Sequence, residues 1–237
     1  TRVGGLAQDL TSEAAGMIKA FLDQFLDNLR ESERLLMRNR IFIDRCEGVG
    51  YISPADAIGI GLTGPALRAC GIGHDVRRDE PYLVYDELDF SVPVYSDCDS
   101  LARFYVRLQE MKESASMLYQ ALDKMPPGPI HANDPKRVLP RKERTYGRME
   151  ELIHDFMLVN FGINPPVGEV YHAIEGSKGE LGFYIVSQGE GMPWRLKIRS
   201  PSFVNLQALP IMVKGEMISD LVAIIGSLDP VMGEADK

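Results

Sequence analysis

Acids and arginines, rather than nucleophiles or metal ligands, are the residues of this sequence best placed to do chemistry. Near its end, Asp229, Glu234 and Asp236 follow an apolar run and are separated by Pro230, Val231 and Met232. Acids at a chain end are ordinarily frayed and solvated. Here the apolar spacing and the proline suggest a docked tail, and a carboxyl held beside apolar side chains gains proton affinity and can carry protons. Upstream, Arg38, Arg40, Arg45, Arg68, Arg77 and Arg78 are interleaved with Asp44, Asp75 and Asp79 among closely spaced glycines. A solvated charge face, buried ion pairs and contacts to a partner protein all fit that pattern, because guanidinium suits interfaces.

Other chemistries find little support. His74, His131, His154 and His172 have no ligand spacing between them. Cys46, Cys70 and Cys98 include no CxxC, so three reduced thiols are expected rather than a disulfide framework, a zinc site or an iron–sulfur ligand set. Gly71-Ile72-Gly73 lacks the third glycine and the βαβ context of a dinucleotide site, and there is no Walker loop or serine-hydrolase elbow. The chain is expected to bind no metal and no redox cofactor of its own.

The elements that must position these groups can be read from periodicity. Asp9-Leu10-Thr11-Ser12 supplies capping side chains, and Met17, Ile18, Phe21, Leu22, Phe25, Leu26 and Leu29 recur at helical spacing, predicting a helix from Ser12 to Met37. Residues 38–95 change texture: glycines and short helical turns such as Pro54 to Ile58 replace long elements. From Ser96 to Met125, Leu101, Phe104, Leu108, Met111, Ala115, Leu118 and Leu122 step by three and four, a bundle seam stopped by Pro126-Pro127-Gly128. A helix from Lys142 to Phe161 follows, and beyond Gly162 the pattern alternates. Strands are predicted at Val170 to Ile174, Glu180 to Ser187 and Pro193 to Ser200, then a helix from Lys214 to Gly226. In the last strand Arg195, Lys197 and Arg199 share one face, to be either surface or a subunit contact. The expected fold is α+β: a helical bundle over 1–161 with a Gly/Arg-rich segment at 38–95, then a small α+β region and tail over 162–237.

Composition narrows the partners. Of 237 residues, 26 are Lys or Arg and 34 are Asp or Glu, giving a net charge of −8. Such a balance argues against nucleic-acid binding and against a polybasic membrane contact. The apolar run from Leu221 to Ile225 is far below the roughly 20 residues that span a bilayer. A start at Thr1-Arg2-Val3-Gly4-Gly5 reads as the middle of a longer protein.

Several segments, in order along nearly the whole chain, carry a resemblance. They are Asn39-Arg40-Ile41, Gly48-Val49-Gly50, Gly64-Pro65 with Leu67-Arg68, Asp75 with Arg77, Pro81-Tyr82 with Tyr85-Asp86, and Asp99 with Ala102-Arg103. Lys124-Met125-Pro126-Pro127-Gly128, Glu175 with Lys178-Gly179-Glu180-Leu181-Gly182, Lys197-Ile198-Arg199 with Pro201-Ser202-Phe203, and Ala223-Ile224-Ile225-Gly226 with Asp229 complete the set. Together they resemble the large quinone-site subunit of bacterial complex I, the NADH:quinone oxidoreductase, a family related to the large subunit of nickel–iron hydrogenases.

The resemblance implies a hydrogenase-like helix bundle with a small antiparallel sheet as its cap. It also implies a quinone cavity shared with the iron–sulfur subunit that carries the terminal cluster, with the family's N-terminal β region lying before Thr1. Hydrogenases hold nickel with thiolates, and Asp229 to Glu234 contain none, so nickel chemistry is disfavoured. By the same resemblance Val231, with Met232, lines the quinone cavity, while Asp229 and Glu234 belong to a proton relay. Arg40, Arg68, Arg77 and the terminal Lys237, where the family usually has Arg, are expected at subunit interfaces. Flavin and iron–sulfur clusters would sit in partner subunits, and the protein would lie peripherally on the cytoplasmic side of the bacterial inner membrane. A related membrane-bound dehydrogenase with another electron donor, and a purely structural docking subunit, remain alternatives.

Overall fold

A computed structural model of the chain describes residues 3–134 and 136–236. The fold is α+β, made of helices and a small three-stranded antiparallel sheet. The helices before the sheet are α1 (Ser12–Met37), α2 (Arg40–Asp44), α3 (Pro54–Ile60), α4 (Pro65–Arg68), α5 (Val76–Asp79), α6 (Ser100–Lys124), α7 (Lys142–Gly147) and α8 (Met149–Phe161). The strands β1 (Gly168–Gly176), β2 (Gly179–Ser187) and β3 (Arg195–Arg199) follow in spatial order β1-β2-β3. After them come α9 (Pro201–Leu206), α10 (Leu209–Met212), α11 (Asp220–Leu228) and α12 (Met232–Ala235). Among the described residues, no helix is long and apolar enough to cross a membrane.

The chain divides into two compact units. The larger comprises Ile18–Lys124, His172–Gly182 and Ile198–Lys237; the smaller comprises Thr1–Met17, Met125–Tyr171 and Phe183–Lys197.

In the larger unit α1 and α6 run antiparallel. Lys19 pairs with Asp123, Asp23 accepts from the Tyr119 hydroxyl, and Glu33 pairs with Lys112, so the contacts step in opposite directions along the two helices. The predicted seam of α6 buries Leu101, Leu108 and Ala115, but Met111 and Leu118 are 37% and 48% exposed. The first half of α6 is instead enclosed on several sides, with Ala102, Arg103 and Val106 buried as well. Loops fasten that end: Asp99 accepts from Gly48 N and Ala102 N at 2.7 Å each, and Ser100 Oγ donates to Val49 O at 2.9 Å. Arg103, fully buried, donates to Gly50 O, Cys98 O, Ser100 Oγ and Ser227 Oγ with no ion pair among the described residues, and burial pulls its pKa down to about 10. An apolar core of Ile52, Ala57, Leu62, Ala66, Leu67, Met212, Ile224 and Leu228 lies beneath α3, α4, α10 and α11.

The smaller unit differs from the sequence expectation in one element. The predicted helix from Lys142 to Phe161 is broken at Arg148, which is extended (φ −138, ψ 129) and serves as the N-cap of α8. Gly147, a poor helix former, ends α7 just before it. Although α8 is strongly apolar, none of its residues is buried. In the larger unit, the helix predicted from Lys214 starts only at Asp220. Gly215 takes φ 95, a left-handed turn that a continuing helix cannot hold, and Asp220 accepts from Met217 N at 3.2 Å to open the new helix.

Candidate functional site

Five parts of the larger unit, α4, α5, α6, the β1–β2 turn and the end of α11, bring charged side chains to one place. α4 is a single turn, opened by Pro65 in the first helical position. Gly64, which precedes it at φ 67, lies against the β1–β2 turn so closely that a Cβ there would stand 2.5 Å from Gly179 Cα. The approach is mutual, since a Cβ on Gly179 would stand 2.5 Å from Thr63 Oγ1. Glycine on both sides is what lets backbone meet backbone. Thr63 Oγ1 then accepts from Glu180 N at 3.1 Å, Asn205 Nδ2 donates to Lys178 O at 3.1 Å, and Arg199 donates to Gly61 O and Glu180 O. Arg199 is thus an internal clamp rather than a surface residue of β3. These bonds fix Glu175 and Lys178, at the two ends of the hairpin turn, beside Arg68 of α4.

Arg68 is only 1% exposed and holds three acids. Its Nε donates to Glu110 Oε1 at 2.7 Å, with Nη2 2.6 Å from the same oxygen, and its Nη1 donates to Glu175 Oε1 at 2.9 Å and to His74 O at 3.0 Å. Asp75 Oδ2 lies 3.5 Å from Nη1. Asp75 caps α5 by accepting from Arg77 N at 3.0 Å, and it takes a bidentate pair from the Arg77 guanidinium at 3.0 and 2.7 Å. Burial alone would raise the pKa of Asp75, but the bonds from Arg77 and the nearby Arg68 outweigh it and hold the carboxyl below its ordinary range. Glu110 goes the other way: burial dominates, and its proton affinity rises despite Arg68.

Asp229 completes the arrangement. It ends α11 in the left-handed conformation (φ 53, ψ 55), where its N–H closes on Ile225 O at 3.1 Å. That turn aims its carboxylate at Lys178 Nζ, with which it forms an ion pair. The Asp229 Oδ2 also lies 3.9 Å from Nε of Arg107. Arg107 donates from Nη1 to Arg103 O and from Nη2 to Leu228 O, whereas its buried Nε has no hydrogen-bond partner among the described residues. A cavity of about 410 Å³ opens among these groups, lined by Arg68, Arg77, Arg107, Glu110, Lys178 and Asp229, with Glu175, Ser114, Met111, Gly176 and Ser177.

The candidates from sequence are therefore distributed unevenly. Asp229, Arg68 and Arg77 line one cavity. Glu234 lies elsewhere in the same unit, accepting from Ser202 Oγ at 2.6 Å while its carbonyl accepts from Ser200 Oγ at 2.8 Å. Those bonds, with Val231 N donating to Ser202 Oγ at 3.1 Å, dock the tail. Val231 is 43% exposed and Met232 77%. The side chain of Arg40 is 91% exposed and pairs only loosely with Asp44 at 3.4 Å; Lys237 lies outside the described residues. Sequence reasoning missed Arg107 and Glu110. Their signal was a second stripe on α6, Arg103-Arg107-Glu110 at spacings of four and three, beside an apolar seam where charges have no reason to be solvated.

Comparison with known proteins agrees along the entire length. The chain is 60% identical over 236 residues to the D 1 subunit of the NADH-quinone oxidoreductase of Chloroherpeton thalassium, covering all of this chain and 54% of that protein. It is 53% identical over 238 residues to the corresponding NADH-quinone oxidoreductase subunit of Salinibacter ruber, covering 53% of it. The corresponding subunit of Methylacidiphilum infernorum is 52% identical over 237 residues, with 57% of it covered. The chain thus spans somewhat over half the length of these curated relatives. The model of the family described as respiratory-chain NADH dehydrogenase, 49 Kd subunit, matches residues 1–237, and the chain belongs to that family.

Proposed function

We propose that the chain is part of the quinone-reducing subunit of a proton-pumping NADH:quinone oxidoreductase, and that Asp229 delivers protons toward the quinone. The observation that carries this reading is the placement of Asp229. Its carboxylate is held in the left-handed turn that ends α11, paired with Lys178 and facing Arg107 at the edge of a polar cavity, two residues before the half-exposed Val231. Reducing a quinone to a quinol requires two protons, and a fixed acid beside water is the group that supplies or relays them. Electrons arrive from NADH through flavin and iron–sulfur clusters in partner subunits, the last of them in the neighbouring iron–sulfur subunit.

Val231 and Met232 form the quinone-facing side of the tail, and Glu234 holds that tail in place. The solvent-facing Arg40, with the terminal Lys237, is offered to neighbouring subunits. The helices adopt a hydrogenase-like bundle, and the subunit sits peripherally on the cytoplasmic side of the inner membrane. Asp229→Asn, introduced into the full-length subunit of the assembled complex, tests the reading. NADH:quinone reduction should fall by about 100-fold, in the range of a lost proton donor, while electron transfer from NADH to a hydrophilic artificial acceptor persists. Wild-type quinone reduction and proton pumping in that variant would end the proposal.

A further inference from the structure

The cavity holds a second acid that the proton path above does not use. Glu110 projects from α6 one turn after Arg107, with its side chain 16% exposed. Both Arg68 contacts, at 2.7 and 2.6 Å, are made to the same oxygen, Oε1, and Glu110 lines the cavity. Asp229, on its pair with Lys178, lines the same cavity, and Arg107 is close enough to both acids that each supports its positive charge against burial. Arg107 lines this space, and its buried Nε, 3.9 Å from Asp229 Oδ2, has no hydrogen-bond partner among the described residues. A buried N–H left without a protein acceptor is ordinarily satisfied by water, and a polar cavity of about 410 Å³ has room for on the order of ten waters.

The remaining groups around Glu110 are committed. Arg68 of α4 and Arg77 of α5 face it, and Arg107 shares its own helix. Glu175 of β1 accepts from Arg68 and from Val76 N at 3.2 Å, and Asp75 is held by Arg77. Four cations, Arg68, Arg77, Arg107 and Lys178, thus meet four acids, Asp75, Glu110, Glu175 and Asp229. Of the acids, Asp75 is pinned in its charged form and Glu175 is fully bonded, whereas burial favours the protonated form of Glu110.

We propose that Glu110 and Asp229 exchange protons through water in this cavity, so that a proton accepted by one carboxylate is matched by a proton released from the other. The electrostatics favour the exchange. Two carboxylates beside one guanidinium compete for it, so neutralising one strengthens the hold of Arg107 on the other and favours its ionisation. The step is a plain transfer: the O–H bond of the Glu110 carboxylic acid breaks, a water accepts the proton, and an O–H bond forms on Asp229. No electron moves, and the charge of the cluster is unchanged. Glu110 is thereby the reservoir that reprotonates Asp229 after each delivery. This inference rests on the proposed role of Asp229.

The test uses the assembled complex with full-length subunit, a short-chain ubiquinone as the probe, and a hydrophilic acceptor to report electron entry. Glu110→Gln should lower quinone reduction roughly tenfold, less than the ~10²–10⁴ of a direct proton donor, and should flatten one limb of its pH–rate profile. Glu110→Asp should restore the shape of that profile. Ser114→Leu, which puts apolar bulk into the cavity lining and leaves both acids in place, should also lower the rate with electron entry unchanged. A wild-type rate and pH profile in Glu110→Gln, or in Ser114→Leu, would overturn the exchange while Asp229→Asn remained impaired. Wild-type quinone reduction in Asp229→Asn would overturn the proposed function itself. If Glu110→Gln fails to assemble, losing electron entry as well, Ser114→Leu alone decides.

Discussion

Arg68→Met should destabilise the fold by about 3–5 kcal/mol, the usual consequence of removing one partner from a buried ion cluster. The structure says where the loss falls. Methionine has nearly the length of the arginine stem, so little cavity is created, and the penalty is electrostatic. Asp75 keeps its bidentate bonds from Arg77 at 3.0 and 2.7 Å and is little affected. Glu110 and Glu175 lose their guanidinium, and with side chains 16% and 4% exposed neither can turn to bulk water. Each charged hydrogen bond contributes about 1.5–3 kcal/mol, so two stranded carboxylates reach the same magnitude. Urea unfolding of the full-length subunit, followed by circular dichroism at pH 7 and pH 5, measures it.

Two further signatures identify the cause. Adding Glu110→Gln to Arg68→Met should recover about 1–2 kcal/mol by removing one uncompensated charge. The deficit should also shrink as the pH falls from 7 to 5. Stranded acids have a higher pKa folded than unfolded, so the folded variant binds protons first and gains stability on acidification. A loss below about 1 kcal/mol, or a deficit that is flat with pH, would refute the claim that Arg68 compensates buried negative charge.

Two substitutions at glycine should behave oppositely. Gly179→Ala places a methyl 2.5 Å from Thr63 Oγ1 and 2.9 Å from the Thr63 carbonyl carbon at φ 137, and about 2–4 kcal/mol should be lost in the same unfolding assay. Gly226→Ala, in the open on α11 with nothing within 4 Å, should instead be neutral or stabilise by up to about 1 kcal/mol. The Cys70 thiol, pushed up to about 12 by burial and then by the neighbouring Cys98, should resist N-ethylmaleimide at pH 8 until the protein unfolds. Native-state label found on Cys70 by mass spectrometry would contradict that environment.

Local pattern was the part of this fold most legible in sequence. The ends of α1 match the capping and periodicity expectation residue for residue, because a capped amphipathic helix carries its own instructions. The break at Arg148 and the late start of α11 were not read from the sequence, since a single glycine, Gly147 or Gly215, is tolerated in many helices and only the structure shows that the chain turns at these two. Sequence left the arginines open between solvated face, buried pair and interface. The structure separates Arg40, whose side chain is exposed, from Arg68 and Arg77, whose guanidiniums are taken up by Asp75, Glu110 and Glu175 of the same unit. Lys178 and Asp229 are 51 residues apart, and their pairing depends on two glycines that let α4 and the β1–β2 turn meet backbone to backbone. A long-range pairing of that kind has no periodicity to announce it.

The charged cavity also bears on why such an arrangement persists in the core of a unit that is otherwise well packed. Burying ions costs several kcal/mol each before their mutual attraction is counted, and apolar replacements of similar volume are often neutral or stabilising. Arg68, Asp75 and Glu175, all under 5% exposed in their side chains, would therefore be a poor choice if stability were the only demand on this part of α4, α5 and β1. The same unit demonstrates the apolar alternative a few residues away, where Leu62, Ala66 and Leu67 close a dry core on the other side of α4. The charges are concentrated around the cavity that Asp229 borders, where four cations meet four carboxyl groups. A proton passing between two carboxylates within such a ring leaves its net charge unchanged, which limits the cost of the move. An apolar core has no such carboxylates. The proposed proton exchange gives the polarity of this cavity a role that the stability of the surrounding fold does not supply.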